Sequence, residues 1–187
     1  MYLGWKNPTA PYTAGQMTLE ARDHERDLGV IIDKRLSFEP HICNITRRAR
    51  RLAGVILRSF ISRNAQTIMP VFNAIVRPVL EFASPVWNPS LRKSVMMIES
   101  VQRRVTKRLC GVRNLSYPER LRVLEICSLE SRRTYLDLIE LFKCIHGLSV
   151  CGHVPVLRNI TLETRGHRLR LKTQHFKCNV NFRIFVE

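Results

Sequence analysis

The stretch Asp27-Leu28-Gly29-Val30-Ile31-Ile32-Asp33 is a short apolar run between two aspartates, and it precedes a long basic segment. From Pro40 to Leu80 the chain contains no Asp or Glu but seven arginines. The β-branched run predicts a strand over residues 28–32, and the helical spacing that follows predicts cationic helices. This order indicates a surface that binds a polyanion, of which nucleic acid is the commonest.

Composition agrees with that interpretation. The chain carries 31 Lys and Arg against 15 Asp and Glu, a formal charge of +16 on 187 residues, and such a chain repels itself unless an anion is nearby. Hydrophobic residues make up 45%, enough for an ordinary core. No run of 18 apolar residues and no signal-peptide core is present, so we expect no membrane partner and an intracellular location, nuclear and/or cytoplasmic.

The sequence predicts a mostly α protein with three parts. Residues 1–36 contain breaks at Pro8, Pro11 and Gly15 and predict one β-hairpin or a small three-stranded sheet, the edge of a larger one. Residues 37–148 have helical periodicity and predict a bundle. Residues 149–187 are basic without a helical stripe, which predicts an extended C-terminal arm.

Two predicted helices carry basic residues on the side opposite their apolar stripe. The first spans residues 41–60 and the third spans residues 90–109. Such a face is usually only solvated, but the first one lacks the glutamates that normally pair with arginines four residues away. We therefore expect both faces to bind phosphates. The candidates are Arg47, Arg51 and Arg58 on the first helix and Lys93, Arg103, Arg104 and Lys107 on the third.

The remaining helical segments are expected to form the core. Residues 65–82 are mostly apolar, and Pro78 should kink or end that helix. Trp87 lies between two prolines and is predicted to be a core anchor rather than a base-stacking platform. A last helix begins at Ser128 and ends before Gly147, with Phe142 among its candidate core residues.

One group of cysteines and histidines is a weak candidate for a metal site. Cys144, His146, Cys151 and His153 supply two thiols and two imidazoles within ten residues, a set that zinc can use. Their spacing differs from the usual zinc patterns, and Cys144 and His146 diverge if both lie on a helix. Most of the six cysteines are expected to be reduced, buried apolar groups.

Several motifs resemble the segment that follows the catalytic palm in reverse transcriptases of non-LTR retrotransposons, especially the jockey and CR1 type. They occur in the family's order and extend over nearly the whole chain. The matching pieces are Met1–Gly4, Asp27–Asp33, Arg77–Pro89, Glu99–Arg104, Leu115–Tyr117 and Thr164–His167.

The resemblance implies a place for each part of the chain. It implies that Leu28, Gly29 and Val30 belong to the strand that follows the palm and approaches the primer. Glycine suits this position because a backbone without a side chain can come close to a sugar-phosphate chain. The helices then resemble the thumb, which closes over the template-primer duplex, and the last forty residues resemble the start of the connection to the family's C-terminal region.

One departure from the family decides what chemistry to expect. The polymerase of this family uses a pair of palm aspartates to hold two Mg²⁺ ions, and the chain contains no Asp-Asp pair. We therefore expect no catalytic residue and no cofactor here, with Mg²⁺ held by the missing palm of the parent enzyme. The expected partner is RNA or DNA, as a template-primer duplex. The alternative is a decayed, non-catalytic helical interaction protein derived from a retroelement.

Overall fold

The computed structural model describes residues 1 and 10–149. The protein is mostly α, with small strands before the helices, as the sequence predicts. The strands are β1 (Thr13–Ala14), β2 (Met17–Thr18), β3 (His24–Asp27) and β4 (Val30–Asp33). The helices are α1 (Glu39–Ser59), α2 (Ala65–Val71), a π-helical turn (Phe72–Val76), α3 (Arg77–Glu81), α4 (Ser84–Trp87), α5 (Arg92–Thr106), α6 (Tyr117–Val123) and α7 (Leu129–Ile145). The predicted arm lies outside the described residues, apart from Ser149.

The N-terminal strands form two separate antiparallel pairs. β1 pairs with β2, and β3 pairs with β4 from His24 opposite Asp33 to Asp27 opposite Val30. The prediction of one hairpin or a three-stranded sheet is therefore wrong for the described residues. β1 and β2 have only two exposed residues each, so they bring no apolar face with which to join the second pair.

Leu28 and Gly29 form the tight turn between β3 and β4, so the prediction that the strand begins at Leu28 is wrong. Their φ angles are 42° and 90°, and two successive positive values are typical of a type I′ hairpin turn. Leucine rarely adopts such an angle, and Leu28 is 89% exposed at the tip. The positive φ favours glycine at position 29, and a Cβ there would lie 3.3 Å from Cε1 of Phe82, a tighter contact than usual.

Asp33 connects the second hairpin to the helical part. Its carboxylate is buried and accepts hydrogen bonds from the backbone N–H of Phe38 at 2.7 Å and of Ser37 at 3.2 Å. Phe38 precedes α1 with a φ of 54° and is itself buried. The aspartate therefore holds the turn that starts α1, since the left-handed residue provides no side-chain cap of its own.

The helical run predicted over residues 65–82 is continuous as far as Glu81, but it contains a π-helical turn. Pro78 lies in the first turn of α3 directly after that turn. The helix continues for three residues beyond Pro78, so Pro78 does not end it, and the alternative that it kinks the helix stays a prediction. The helix ends where Phe82 leaves the helical backbone and Ala83 adopts a φ of 53°.

The core lies between α1, the α2–α3 run and α5. Trp87 is fully buried and donates from Nε1 to the backbone oxygen of Phe82 at 2.8 Å, which confirms its assignment as a core anchor. Phe142 is 56% exposed, so its assignment to the core is wrong. α7 meets the bundle mainly through α4 and α5. Within the described part, no helix has the length and apolar character needed to span a membrane.

Candidate nucleic-acid interface

Helices α1 and α5 lie side by side and run in the same direction. Sγ of Cys43 lies 3.9 Å from Sδ of Met97, and further along Nη2 of Arg50 donates to Oγ of Ser100 at 2.9 Å. The residue numbers rise together along both helices, so the pair is parallel. The apolar stripes of both helices are buried in the core, which leaves their basic sides next to each other at the surface.

An open groove of about 710 Å³ runs between these basic sides. Four of its arginines come from α1 and one from α5. Its other walls are Cys43, Thr46, Gly54, Val55 and Met97. The groove arginines are Arg47, Arg50, Arg51, Arg58 and Arg104.

The five groove arginines carry charge that no carboxylate of the described residues neutralises. All five are exposed, and in the described part of the chain none has a carboxylate oxygen within 4.0 Å. Only Arg50 has a side-chain partner within this set, the neutral hydroxyl of Ser100. A concave surface of one sign of charge attracts an extended polyanion, and guanidinium groups suit phosphate oxygens because they donate in a planar fork.

The structure brings four of the seven predicted basic residues together in this groove, namely Arg47, Arg51, Arg58 and Arg104. Sequence reasoning missed Arg50. Its position three residues after Arg47 is the signal that would have found it, because residues three apart share a helix face.

The other three predicted residues lie outside the groove lining. Nζ of Lys93 is 2.9 Å from Oε1 of Glu39, and this hydrogen bond raises the pKa of Lys93. The guanidinium of Arg103 lies 4.7 Å from the ring centroid of Tyr117. Lys107 is exposed just after α5. A role for these three in binding nucleic acid stays a prediction.

The hairpin predicted to approach the primer is attached to α1. The backbone N–H of Ile31 donates to Nδ1 of His41 at 3.2 Å, and burial lowers the pKa of that histidine. Val30 belongs to the hydrophobic core, whereas Leu28 and Gly29 extend to the exposed tip. A contact between Leu28, Gly29 or Val30 and a primer stays a prediction.

The proposed metal ligands are only partly described. Cys144 is buried near the end of α7, and the ring of the exposed His146 packs on Phe142 with centroids 4.1 Å apart. Cys151 and His153 lie outside the described residues. Among residues 1 and 10–149, no three His, Cys, Asp or Glu side chains are grouped so that they could hold a metal ion.

Comparison with known proteins finds one weak relative. An uncharacterized protein of Caenorhabditis elegans is 27% identical over 126 residues, which cover 65% of this chain. The chain matches 61% of the length of that relative. No protein-family model and no solved structure matches the chain.

Proposed function

We propose that this chain is the thumb-like part of a non-LTR retrotransposon reverse transcriptase and that its arginine groove binds the backbone of a template-primer duplex. The observation that carries the proposal is the groove itself, in which arginines of two helices converge and none has a carboxylate partner among residues 1 and 10–149. The motif resemblance given above and the net charge of +16 support the same conclusion.

Recognition would depend on the shape and charge of the backbone rather than on base sequence. No aromatic residue is among the ten that line the groove, so bases have no stacking platform there. Arginine contacts to phosphates position a nucleic acid but carry no direct sequence information. We therefore propose duplexes of RNA or DNA as partners, without a preference for particular bases.

Nucleotide addition belongs, in this proposal, to a palm outside this chain. The paired aspartates that hold Mg²⁺ in the family are missing from the sequence, so the chain supplies binding and positioning only. An intracellular location, nuclear and/or cytoplasmic, follows from a nucleic-acid substrate and is part of the same proposal.

The test is a salt titration of duplex binding by the 187-residue chain. We compare wild type with the triple variant Arg47→Gln, Arg51→Gln, Arg104→Gln. Each lost phosphate contact lowers the log-log salt slope by roughly 0.9, so the triple variant should lose about two to three units of slope and bind all sequences more weakly.

A matched control removes the same charge outside the groove. The residues Arg48, Arg92 and Arg122 are exposed and do not line the groove. The triple variant Arg48→Gln, Arg92→Gln, Arg122→Gln should therefore keep most of the affinity and slope. Equal losses in the two variants would mean that only net charge matters, and the groove would not be the interface.

The alternative is a helical interaction protein, and one surface favours it. Tyr135, Leu138 and Phe142 lie three and four residues apart on α7 and are 62%, 58% and 56% exposed. A row of exposed apolar side chains can dock a protein partner. Duplex binding that is absent, or unchanged in the groove variant, would favour this alternative.

A further inference from the structure

Gly54 interrupts the row of arginines along the groove. Successive turns of α1 present Arg47, Arg51, Gly54 and Arg58 to it. With a rise of about 1.5 Å per residue, the glycine lies roughly 4.5 Å along the helix axis from Arg51 and 6 Å from Arg58. Two long cationic side chains therefore flank the glycine, and the guanidinium of Arg58 lies against it.

The helix itself has no need for glycine at this position. The backbone is helical, and a Cβ on Gly54 would have one neighbour within 4 Å in the described part, Nη1 of Arg58 at 3.6 Å. That distance is an ordinary contact, so alanine would fit. Glycine is among the least favourable residues in a helix interior. Packing therefore does not explain Gly54.

A buried threonine hydroxyl is a second feature of the same groove wall. Thr46 lines the groove and is 1% exposed, and its hydroxyl has no hydrogen-bond partner among the described residues. Threonine hydroxyls in helices usually bond to a carbonyl of the preceding turn. Thr46 lies eight residues before Gly54, about 12 Å along the helix axis, so its buried hydroxyl is a separate feature of the groove wall and not part of the site at Gly54.

We propose that Gly54 is the point at which the duplex backbone comes closest to the protein, with one phosphate bound beside Gly54 between the guanidinium groups of Arg51 and Arg58. This inference rests on the proposed function and adds a residue that determines how deeply the backbone enters the groove. A side chain at this position would hold the phosphate away from both flanking guanidinium groups. The proposal predicts that filling the gap weakens binding although no charge is removed.

The experiment compares Gly54→Ala and Gly54→Leu with wild type in the full chain, by duplex binding at several salt concentrations and by thermal unfolding. Both replacements are better helix formers, so the melting temperature should rise by about a few degrees. Gly54→Ala should weaken duplex binding about twofold. Gly54→Leu should weaken it roughly tenfold and lower the salt slope by about one, the equivalent of one phosphate contact.

Asn44→Leu is the control, because Asn44 is exposed on α1 but outside the groove lining. It places the same leucine side chain on α1 outside the groove and should bind as wild type does. If Gly54→Leu binds like wild type while the groove triple variant loses affinity, this inference is wrong and the proposed function stands. If wild type binds no duplex, both fail. If Gly54→Leu lowers the melting temperature, its weaker binding could come from a damaged fold, and the affinity of Gly54→Ala is then the test. A Gly54→Ala variant that binds duplex as tightly as wild type would overturn the inference.

Discussion

The groove and the region around α6 and α7 use the same residue type in different ways. The groove arginines are exposed and lack carboxylate partners in the described part of the chain. Near α6 and α7, by contrast, Arg120, Arg132 and Arg133 are bound into the protein, and we call these three the structural arginines. Nη1 of Arg120 donates to the Leu115 backbone oxygen at 2.7 Å.

The other two structural arginines also have partners within the protein. Arg132 makes a two-point contact with Glu81 at 2.5 and 3.1 Å, and the contact raises the pKa of Arg132. Arg133 is 1% exposed, donates from Nε to Asn88 at 3.1 Å, and has its pKa lowered by burial. The number of charged residues alone does not locate an interface. An arginine can form hydrogen bonds that stabilise the fold, or it can remain available to a ligand.

The largest loss of stability is expected when the buried carboxylate of Glu99, which contacts α6 and α7, is removed. Glu99 is 5% exposed and accepts hydrogen bonds from the Tyr117 hydroxyl and from the backbone N–H of Leu129 and Glu130. Burial, followed by this hydrogen bond, raises the pKa of Tyr117. Glu99→Ala leaves these donors without a partner, so the free energy of unfolding should fall by about 3 kcal/mol in urea denaturation.

The exposed Glu130 provides the control for that measurement. Glu130→Gln changes a charge in the first turn of α7 but removes no buried acceptor, so its cost should stay under about 1 kcal/mol. Similar losses of unfolding free energy in the two variants would contradict the conclusion that Glu99 stabilises the fold as a buried hydrogen-bond acceptor.

A smaller difference in unfolding free energy is expected between two lysine variants, Arg132→Lys in α7 and Arg51→Lys in the groove. Lysine keeps the charge but cannot reproduce the two-point contact of Arg132 with Glu81, so Arg132→Lys should cost about 1 kcal/mol of unfolding free energy. Arg51→Lys should cost almost nothing, since Arg51 has no carboxylate partner in the described chain. Equal costs, measured by denaturation of both proteins, would remove the distinction between the regions.

Sequence alone could predict what depends on local repetition. The apolar stripe of α1 follows the helical period, so Ile42, Ala49 and Ala53 are buried as expected and Arg47 and Arg51 face outward. Four groove arginines were found for that reason, although nothing in the sequence specified that α1 and α5 lie next to each other.

The predictions that the structure does not bear out depend on contacts between distant residues or on turn geometry. Lys93 pairs with Glu39, and the ring of Tyr117 engages Arg103, through contacts that no helical repeat contains. The start of β4 was misplaced because Leu28 is apolar and β4 continues with Val30, whereas a type I′ turn is usually signalled by Asn-Gly or Asp-Gly.

The smallest expected effect on the free energy of unfolding is a gain in stability, unlike the losses predicted above. Arg47 and Arg51 are four residues apart on α1, and like charges at this spacing destabilise a helix by about 0.2–0.5 kcal/mol. Glutamine has nearly the helix propensity of arginine, so Arg51→Gln should raise the free energy of unfolding by about that amount at low salt. Screening by 1 M salt, with a Debye length of about 3 Å, should abolish the gain. Chemical denaturation of both proteins at the two salt concentrations measures it. A loss of stability in Arg51→Gln at low salt would mean that Arg51 has a structural partner, and it would then belong with Arg132 rather than with a surface kept free for phosphate.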